Sequence, residues 1–268
     1  MRERYDVRVA GDIYRGGDGD YLAGSDERRA EELNGYLRDP DVRAIFVARG
    51  GYGSMRIVDD LDADALRADP KPIVGFSDVT VLLAWSLQHA GVRPIHGPVV
   101  TQLGDVSAAD REHLFRLLED ATAPGPVEAA LTSIGVESGP IEAPLVGGNL
   151  TLIAHLAGTR YELDLRGAIA LVEDVDEPPY AIDRLLTRIA MAKAFSGCRA
   201  VAAGALLRCE GKGDAHAVLD ERLRAFDLPG VRGLPIGHAD RNLAVPFGGM
   251  CALDPTAKTL AILDPAVG

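Results

Sequence analysis

The stretch Pro72-Ile73-Val74-Gly75-Phe76-Ser77-Asp78-Val79-Thr80 joins a short apolar run to a segment with helical spacing. Apolar residues then recur at three- and four-residue intervals, at Val79, Leu82, Leu83 and Leu87. This pattern predicts a buried strand, a tight turn at Gly75 and an amphipathic helix. Ser77 would stand at the helix N-terminus, where backbone N–H groups and the helix dipole favour negative charge. That place suits either an ordinary N-cap or a nucleophile whose reaction forms an oxyanion.

Strands and helices alternate on both sides of this stretch. Short strands are predicted at residues 7–10, 44–48 and 92–95, and Ser25 and Ser107 are predicted to cap helices. Strand 44–48 is continuously apolar, as expected for a strand covered on both faces. The alternation predicts an N-terminal doubly wound, flavodoxin-like parallel sheet with ligands at the carboxyl ends of its strands.

A change in residue composition and in the pattern of apolar residues near residue 121 predicts a second domain. Residues 121–126 are small and include two prolines, which favours a linker. We therefore divide the chain into an N-terminal α/β domain at 1–120, a linker at 121–140 and a smaller C-terminal domain at 141–268. The second domain is predicted to be mixed α/β with a different topology, and to end in a hairpin formed by residues 250–253 and 260–263.

Composition excludes several classes of function. The 268 residues are 47% hydrophobic and 25% charged, which is ordinary for a globular protein. No apolar run reaches the roughly 20 residues that span a bilayer, and no signal peptide is recognised. The net charge of −12 argues against nucleic acid or an anionic membrane as a partner. The three cysteines lack metal-ligand spacing and indicate reduced thiols in a cytoplasmic protein.

A glycine-rich turn follows the apolar strand 44–48. Its sequence is Arg49-Gly-Gly-Tyr-Gly-Ser54, which lacks the spacing of nucleotide-binding loops. Glycines at the carboxyl end of a buried strand allow a ligand to approach the backbone closely. A tight strand-to-helix turn explains the same composition equally well.

Two of the six histidines are candidates for a catalytic base. His96 and His238 lie in glycine-flanked loops after apolar runs, where catalytic groups tend to sit. The other four fall within or at the edge of predicted helices, which favours surface or packing roles. A serine nucleophile needs such a base and a carboxylate that orients it.

Glu173 is the carboxylate that stands out. It follows five apolar residues at the end of a predicted strand, so it should be partly buried and in need of a partner. The alternative is a structural ion pair with a basic residue of the next helix, Arg184 or Arg188. Pattern alone thus gives Ser77, Glu173 and either histidine, without showing that they meet.

Eight short segments, in this order, cover nearly the whole chain: Tyr21-Leu-Ala-Gly-Ser-Asp26, Ala48-Arg-Gly-Gly-Tyr-Gly-Ser54, Gly75-Phe-Ser-Asp-Val-Thr80, His96-Gly-Pro98, Gly147-Gly-Asn-Leu150, Gly158-Thr159, Leu171-Val-Glu-Asp-Val175 with Pro179-Tyr180, and Gly237-His238. Together they closely resemble the LD-carboxypeptidase family of serine peptidases, which comprises muramoyltetrapeptide carboxypeptidases and microcin-immunity relatives. Each segment alone is a weak motif, but eight in order are a strong one.

The resemblance implies a catalytic triad shared between the two domains. Ser77 matches the nucleophile, while Glu173 and His238 match the other two members. His96 falls in the family's His-Gly-Pro segment and not in the catalytic role. The implied reaction hydrolyses the bond before a C-terminal D-alanine of a cytoplasmic muropeptide tetrapeptide, through an acyl-enzyme, during cell-wall recycling.

The resemblance also implies the surroundings of the triad. The backbone N–H of Asp78 and one from the glycine turn, at Gly51, would form the oxyanion hole. Substrate-binding candidates are Arg49, Gly50 and Tyr52, with Arg49 as a possible bidentate partner of the terminal carboxylate. The resemblance implies no metal and no other cofactor. It does imply a homodimer.

One departure from the family pattern opens two further readings. Family members usually begin with a strand and a helix upstream of the segment that matches residues 5–11, and this sequence contains neither. A missing inner strand would expose apolar surface, so a non-catalytic muropeptide-binding protein is one alternative. A peptidase that cleaves peptidyl-adenylates, as in microcin immunity, is the other. Such enzymes carry aromatic residues for adenine, whereas the single tryptophan, Trp85, is expected in the core.

Overall fold

The computed structural model describes residues 1–11 and 21–268, which form two main β-sheets and their covering helices. The strands are β1 (Ile45–Phe46), β2 (Ile73–Gly75), β3 (Ile95–His96), β4 (Gly125–Pro126), β5 (Thr132–Gly135), β6 (Ile141–Asn149), β7 (Ile169–Val175), β8 (Ala200–Leu207), β9 (Glu210–Gly211), β10 (Gly213–Asp214), β11 (Pro229–Arg232), β12 (Val245–Pro246), β13 (Met250–Asp254) and β14 (Thr259–Ile262). The helices are α1 (Asp26–Arg38), α2 (Ser54–Ile57), α3 (Ala63–Ala68), α4 (Thr80–Trp85), α5 (Ala108–Glu119), α6 (Leu150–Leu156), α7 (Pro179–Met191) and α8 (Ala215–Ala225). None of the helices in the described ranges is long and apolar enough to cross a membrane.

The N-terminal sheet has the order β1–β2–β3–β12, and its first three strands are parallel. Successive residues of a strand point to opposite faces. Ile45 and Ile73 accordingly join the large apolar cluster that includes residues of α1, α3 and α4. Val74 and Ile95 join a separate cluster with α5. Because helices cover both faces, the predicted doubly wound domain is confirmed.

The C-terminal sheet has eight strands in the order β4–β14–β13–β6–β7–β8–β11–β5. Its central strands β6, β7, β8 and β11 are parallel, and the flanking strands are antiparallel. Residues 200–203 of β8 are fully buried and small, which lets helices pack closely on the sheet. The predicted terminal hairpin is confirmed by the antiparallel pairing of β13 with β14.

The second unit differs from our expectation in two respects. By strand number it is the larger unit, although the sequence led us to expect a smaller domain. The predicted linker 121–140 contains β4 and β5, which pair with β14 and β11 of the larger sheet. Prolines and small residues are compatible with edge strands, so their presence did not exclude pairing. The exact boundary stays a prediction, because β12 leaves the C-terminal part and pairs antiparallel with β3.

The predicted strand at residues 7–10 is wrong. Within the described ranges no backbone hydrogen bond pairs this segment with a neighbour. Its surroundings are held by side chains instead: Arg4 bonds Glu119 of α5, and Arg8 bonds Asp39 at the end of α1. A strand requires a partner in register, and here ion pairs replace that ladder.

Candidate active site

Ser77 occupies a strained turn at the carboxyl end of β2. Its φ is +65°, in the left-handed region that costs a non-glycine residue about 1–2 kcal/mol. Phe76 precedes the helical turn Ser77–Val79, and no side-chain capping bond is present there. The N-cap reading of Ser77 is therefore wrong. A Cβ at Gly75 would lie 2.8 Å from Val79 Cγ1, which explains the glycine before the turn.

The glycine-rich turn after β1 lies directly against the serine. A Cβ at Gly50 would lie 3.1 Å from Ser77 Cβ and 3.3 Å from Ser77 Oγ. The backbone N–H of Ser54 donates a 2.9 Å hydrogen bond to buried Asp78 Oδ2, which fixes the two turns together. The glycine turn therefore packs directly against the Ser77 side chain.

Glu173 and His238 form a hydrogen-bonded pair. Glu173 lies on β7 with a fully buried side chain, and its Oε2 is 2.6 Å from His238 Nδ1. Burial raises the pKa of Glu173, and the bond from His238 opposes that rise. The bond to Nδ1 leaves Nε2 as the imidazole nitrogen available to a serine hydroxyl. Gly237 has a φ of +112°, and a Cβ there would lie 2.5 Å from Glu173 Oε2.

The alternative ion pair of Glu173 with α7 is wrong. Arg188 donates instead to the backbone carbonyls of Ala154 and Ala157. The Arg184 guanidinium lies over the ring of Tyr180. Glu173 therefore serves the imidazole and not a surface cation.

The serine turn and the Glu173–His238 pair meet at Phe76. The Phe76 ring centroid lies 4.7 Å from that of His238, and Phe76 immediately precedes Ser77. His238 keeps 16% of its side chain exposed, and Ser77 is half-buried. Within residues 1–11 and 21–268 no hydrogen bond joins the Ser77 hydroxyl to the imidazole. The fold thus brings the residues of two sheets together, with the carboxylate–imidazole bond already formed.

His96 is the second histidine beside this site. Its buried ring lies 5.9 Å from the Phe76 ring and 5.6 Å from the Phe247 ring, measured between centroids. Burial, together with a smaller contribution from nearby His238, lowers the pKa of His96 to about 3. The His96 ring is therefore neutral at neutral pH.

The predicted substrate-binding residues lie at the rim of the site. Arg49 is exposed, and its guanidinium makes no ion pair with any described residue. Tyr52 is 58% exposed, and its ring lies 6.0 Å from that of Tyr21. Gly50 faces the serine directly. The assignment of Arg49, Gly50 and Tyr52 to substrate binding stays a prediction.

Sequence reasoning missed a buried polar connection behind the site. Thr80, on the helix that follows Ser77, accepts a 3.0 Å bond from the backbone N–H of Asn149. Asn149 Nδ2 donates a 2.9 Å bond to Oδ1 of Asp174, the neighbour of Glu173. Polar residues directly after apolar runs were the available signal, but they did not reveal which partners meet.

Metal ligation has no candidate in the described ranges. They contain no group of three or more His, Cys, Asp or Glu side chains arranged to hold a metal ion. The three cysteines are buried free thiols, and burial raises the pKa of Cys209 to about 11 and of Cys251 to about 12. These thiols are therefore poor nucleophiles.

Known sequence families match both parts of the chain. The LD-carboxypeptidase N-terminal domain matches residues 1–97, and the LD-carboxypeptidase C-terminal domain matches residues 142–253. The chain belongs to the LD-carboxypeptidase family. It is accordingly a serine-type LD-carboxypeptidase.

Three relatives illustrate this LD-carboxypeptidase membership. Murein tetrapeptide carboxypeptidase of Pseudomonas aeruginosa is 36% identical over 245 residues, which cover 87% of this chain and 80% of the relative. The crystal structure of muramoyltetrapeptide carboxypeptidase from Oxalobacter formigenes matches with a TM-score of 0.78 and 31% identity, over 91% of this chain and 86% of that one. The microcin C7 self-immunity protein of Escherichia coli is 27% identical over 276 residues, covering 91% of this chain and 80% of the relative.

Proposed function

We propose that Ser77, His238 and Glu173 form the catalytic triad of a murein tetrapeptide LD-carboxypeptidase. The observation that carries the proposal is the 2.6 Å bond between Glu173 and His238 beside the strained Ser77 turn. Glu173 lies on β7 of the C-terminal sheet, His238 lies in the loop between β11 and β12, and Ser77 follows β2 of the N-terminal sheet. This is the division of roles expected of a triad, in which the base is oriented by a carboxylate and faces the nucleophile.

The reaction then proceeds in two halves. His238 Nε2 accepts the Ser77 proton while Glu173 stabilises the imidazolium, and Ser77 Oγ attacks the carbonyl before the C-terminal D-alanine. The tetrahedral intermediate collapses, the imidazolium protonates the leaving amine, and D-alanine departs. His238 then deprotonates the water that attacks the acyl-enzyme, and the resulting imidazolium gives this proton to the departing Ser77 Oγ. The products are D-alanine and the tripeptide.

Backbone donors and the rim residues complete the site. The N–H groups of Asp78 and Gly51 belong to the two turns that meet at the serine, and we assign them to the oxyanion hole. Gly50 leaves room for the peptide beside Ser77. Arg49 is assigned to the terminal carboxylate and Tyr52 to the side of the peptide, since both are exposed at the rim.

The biological setting follows from the substrate. Murein tetrapeptides released from the wall arise during peptidoglycan recycling, and the unpaired cysteines fit a reducing compartment such as the cytoplasm. We further propose a homodimer, which is what the family resemblance implies. The net charge of −12 supports our proposal that the protein binds neither nucleic acid nor an anionic membrane.

Release of D-alanine from muramoyl tetrapeptide tests the proposal. We expect release by the wild-type protein and its loss in Ser77→Ala, and labelling of Ser77 by a fluorophosphonate, which phosphonylates the hydroxyl with loss of fluoride. Ser138→Ala is the matched control, since the Ser138 hydroxyl bonds only a neighbouring carbonyl in the described structure. Undiminished release by Ser77→Ala would remove Ser77 from the mechanism. Binding without turnover or labelling would favour the non-catalytic alternative.

A peptidyl-adenylate hydrolase is the second candidate. Similarity to the microcin C7 self-immunity protein favours it, and a solved structure of that protein shares the fold with a TM-score of 0.83 at 24% identity. Trp85, however, is buried in α4, as expected, and is not available to stack on adenine. Hydrolysis of a peptidyl-sulfamoyl or peptidyl-phosphoramidate nucleotide faster than of muramoyl tetrapeptide would favour this candidate.

A further inference from the structure

The loop that carries His238 is closed upon itself. The backbone N–H of Leu243 donates to the Pro235 carbonyl at 2.7 Å. Inside that closure, the N–H of Gly237 donates to Oδ1 of Asn242 at 3.0 Å, and Asn242 is buried. These two internal hydrogen bonds make residues 235–243 a compact unit. We therefore expect a displacement of one end of the loop to move the His238 imidazole as well.

Arg241 fastens this loop to the N-terminal unit. Its Nε and Nη2 donate to Asp110 Oδ2 and Oδ1 of α5 at 3.1 and 2.7 Å, a bidentate pair. The Asp110 side chain is only 3% exposed. The Arg241 guanidinium lowers the pKa of Asp110, so the carboxylate is ionised at neutral pH. Bidentate arginine–carboxylate pairs fix orientation as well as distance.

Further contacts continue this attachment along the chain. His113 of α5 lies 2.9 Å, through Nε2, from the Ala244 carbonyl, and β12 then pairs with β3 of the N-terminal sheet. On the other side, the His238 ring is held by Glu173 of the C-terminal sheet. The loop therefore bridges two units, and Arg241 is three residues from His238 on the side that leads to β12.

We propose that the Asp110–Arg241 ion pair is a positioning pair that sets the His238 imidazole against Ser77. The proposal rests on the triad proposed above, and neither partner contacts the reacting atoms. Glu173 fixes which nitrogen of the ring faces outward, whereas the ion pair fixes where the ring stands relative to the nucleophile. A displacement of about 1 Å in such a geometry can reduce the rate about 100-fold.

A double-mutant cycle in the full-length protein tests this role. The variants are Arg241→Met, Asp110→Asn and their combination, measured with muramoyl tetrapeptide for kcat and KM and with a fluorophosphonate for phosphonylation of Ser77. We expect each single change to lower kcat and the phosphonylation rate about 10- to 100-fold, with KM changed less than about threefold. The kcat of the double variant should be no lower than that of the less active single variant, because the two residues act as one unit. Arg241→Lys, which keeps the charge without the fork, should retain more activity than Arg241→Met.

A second ion pair between distant parts of the chain provides the matched control. Arg93, just before β3, bonds Asp264 at 3.1 Å and does not contact the His238 loop. Arg93→Met removes an ion pair between distant parts of the chain, so it should lower the melting temperature. Its kcat should be unchanged. Assays are run below the melting temperature of every variant, and near-ultraviolet circular dichroism reports whether each is folded.

The pH profile separates positioning from damage to the base. Because the Glu173–His238 bond stays in place, the acidic limb of kcat/KM in Arg241→Met should match that of the wild type. A folded Arg241→Met with kcat within twofold of wild type would overturn the proposal, as would losses that multiply in the double variant or an equal loss in Arg93→Met. Failure of the triad itself is recognised separately, by undiminished turnover in Ser77→Ala.

Discussion

Acid should destabilise this protein through the buried ring of His96. Its pKa falls from the ordinary 6.5 to about 3 in the folded chain, because burial between Phe76 and Phe247 excludes the cation. Between these two pH values the unfolded chain binds a proton that the folded chain does not. The free energy of unfolding therefore falls as the pH is lowered through this window, and this penalty is absent above pH 6.5.

The size of the effect follows from the width of that window. Each pH unit is worth about 1.4 kcal/mol, so the shift of His96 corresponds to about 5 kcal/mol when fully expressed near pH 3. At pH 5 the same linkage amounts to about 2 kcal/mol. A domain of ordinary stability has a free energy of unfolding of about 5–15 kcal/mol in total, so this single ring can remove a large share of it in acid.

Urea unfolding at pH 7, 6 and 5 measures this linkage. His96→Phe keeps an aromatic ring between its neighbours and has no proton to bind. We expect the wild type to lose about 2 kcal/mol more than His96→Phe between pH 7 and pH 5. The comparison uses how the free energy of unfolding changes with pH in each protein. A pH-independent loss of stability from imperfect packing of the phenylalanine therefore does not affect it. His155→Gln, at an exposed histidine, should follow the wild type. Parallel loss of stability in wild type and His96→Phe would refute the reasoning.

Two further substitutions probe the close contacts around the serine. Gly50→Ala places a Cβ 3.1 Å from Ser77 Cβ. We therefore expect kcat/KM for muramoyl tetrapeptide to fall about tenfold or more, while the melting temperature stays near that of the wild type. Kinetics equal to those of the wild type would contradict this, because they would show that the two turns can separate freely. Thr80→Val leaves the buried N–H of Asn149 unpaired and should cost about 1–3 kcal/mol in urea unfolding. Thr80→Ser keeps the acceptor, so equal losses in both Thr80 variants would contradict this account.

Local signals in the sequence were sufficient for much of the fold. Ser25 caps α1, and Ser107 caps α5, through bonds to the N–H groups of Arg28 and Asp110. These caps lie within three residues of their partners, so the sequence alone displays them. Strand β2 and the turn after it were readable for the same reason. The parallel arrangement followed from the alternation of strands and helices.

Some of the short strands were the part that local signals could not reveal. β1 and β3 overlap the predicted strands at 44–48 and 92–95, but β4 and β12 have two residues each, which is too few for any periodicity to show. Their assignment depends on a partner elsewhere in the chain: β4 needs β14, and β12 needs β3. The mistaken strand at 7–10 is the converse case, an apolar alternation without a partner. Propensity yields to tertiary pairing in both directions.

The candidate site likewise has a part that the sequence predicted and a part that only the structure revealed. Ser77, Glu173 and the choice between two histidines came from residue pattern, and the resemblance chose His238. Nothing in the sequence indicated that Arg241 would reach Asp110, which lies 131 positions earlier. Contacts over such separations are set by how the sheets pack, which a single sequence does not display.

The placement of the site between two sheets explains which of its residues are glycine. Ser77 must stand in a strained turn with its hydroxyl free, so the chain beside it has to approach closely without a side chain, at Gly50. Glu173 must be buried to hold the imidazole, so the residue before His238 has to pass within van der Waals distance of the carboxylate, at Gly237. Neither constraint belongs to one sheet alone. In the proposed triad, the relative position of the two sheets therefore sets where the base stands against the nucleophile, and polar contacts that fix this position without touching substrate should influence turnover more than binding.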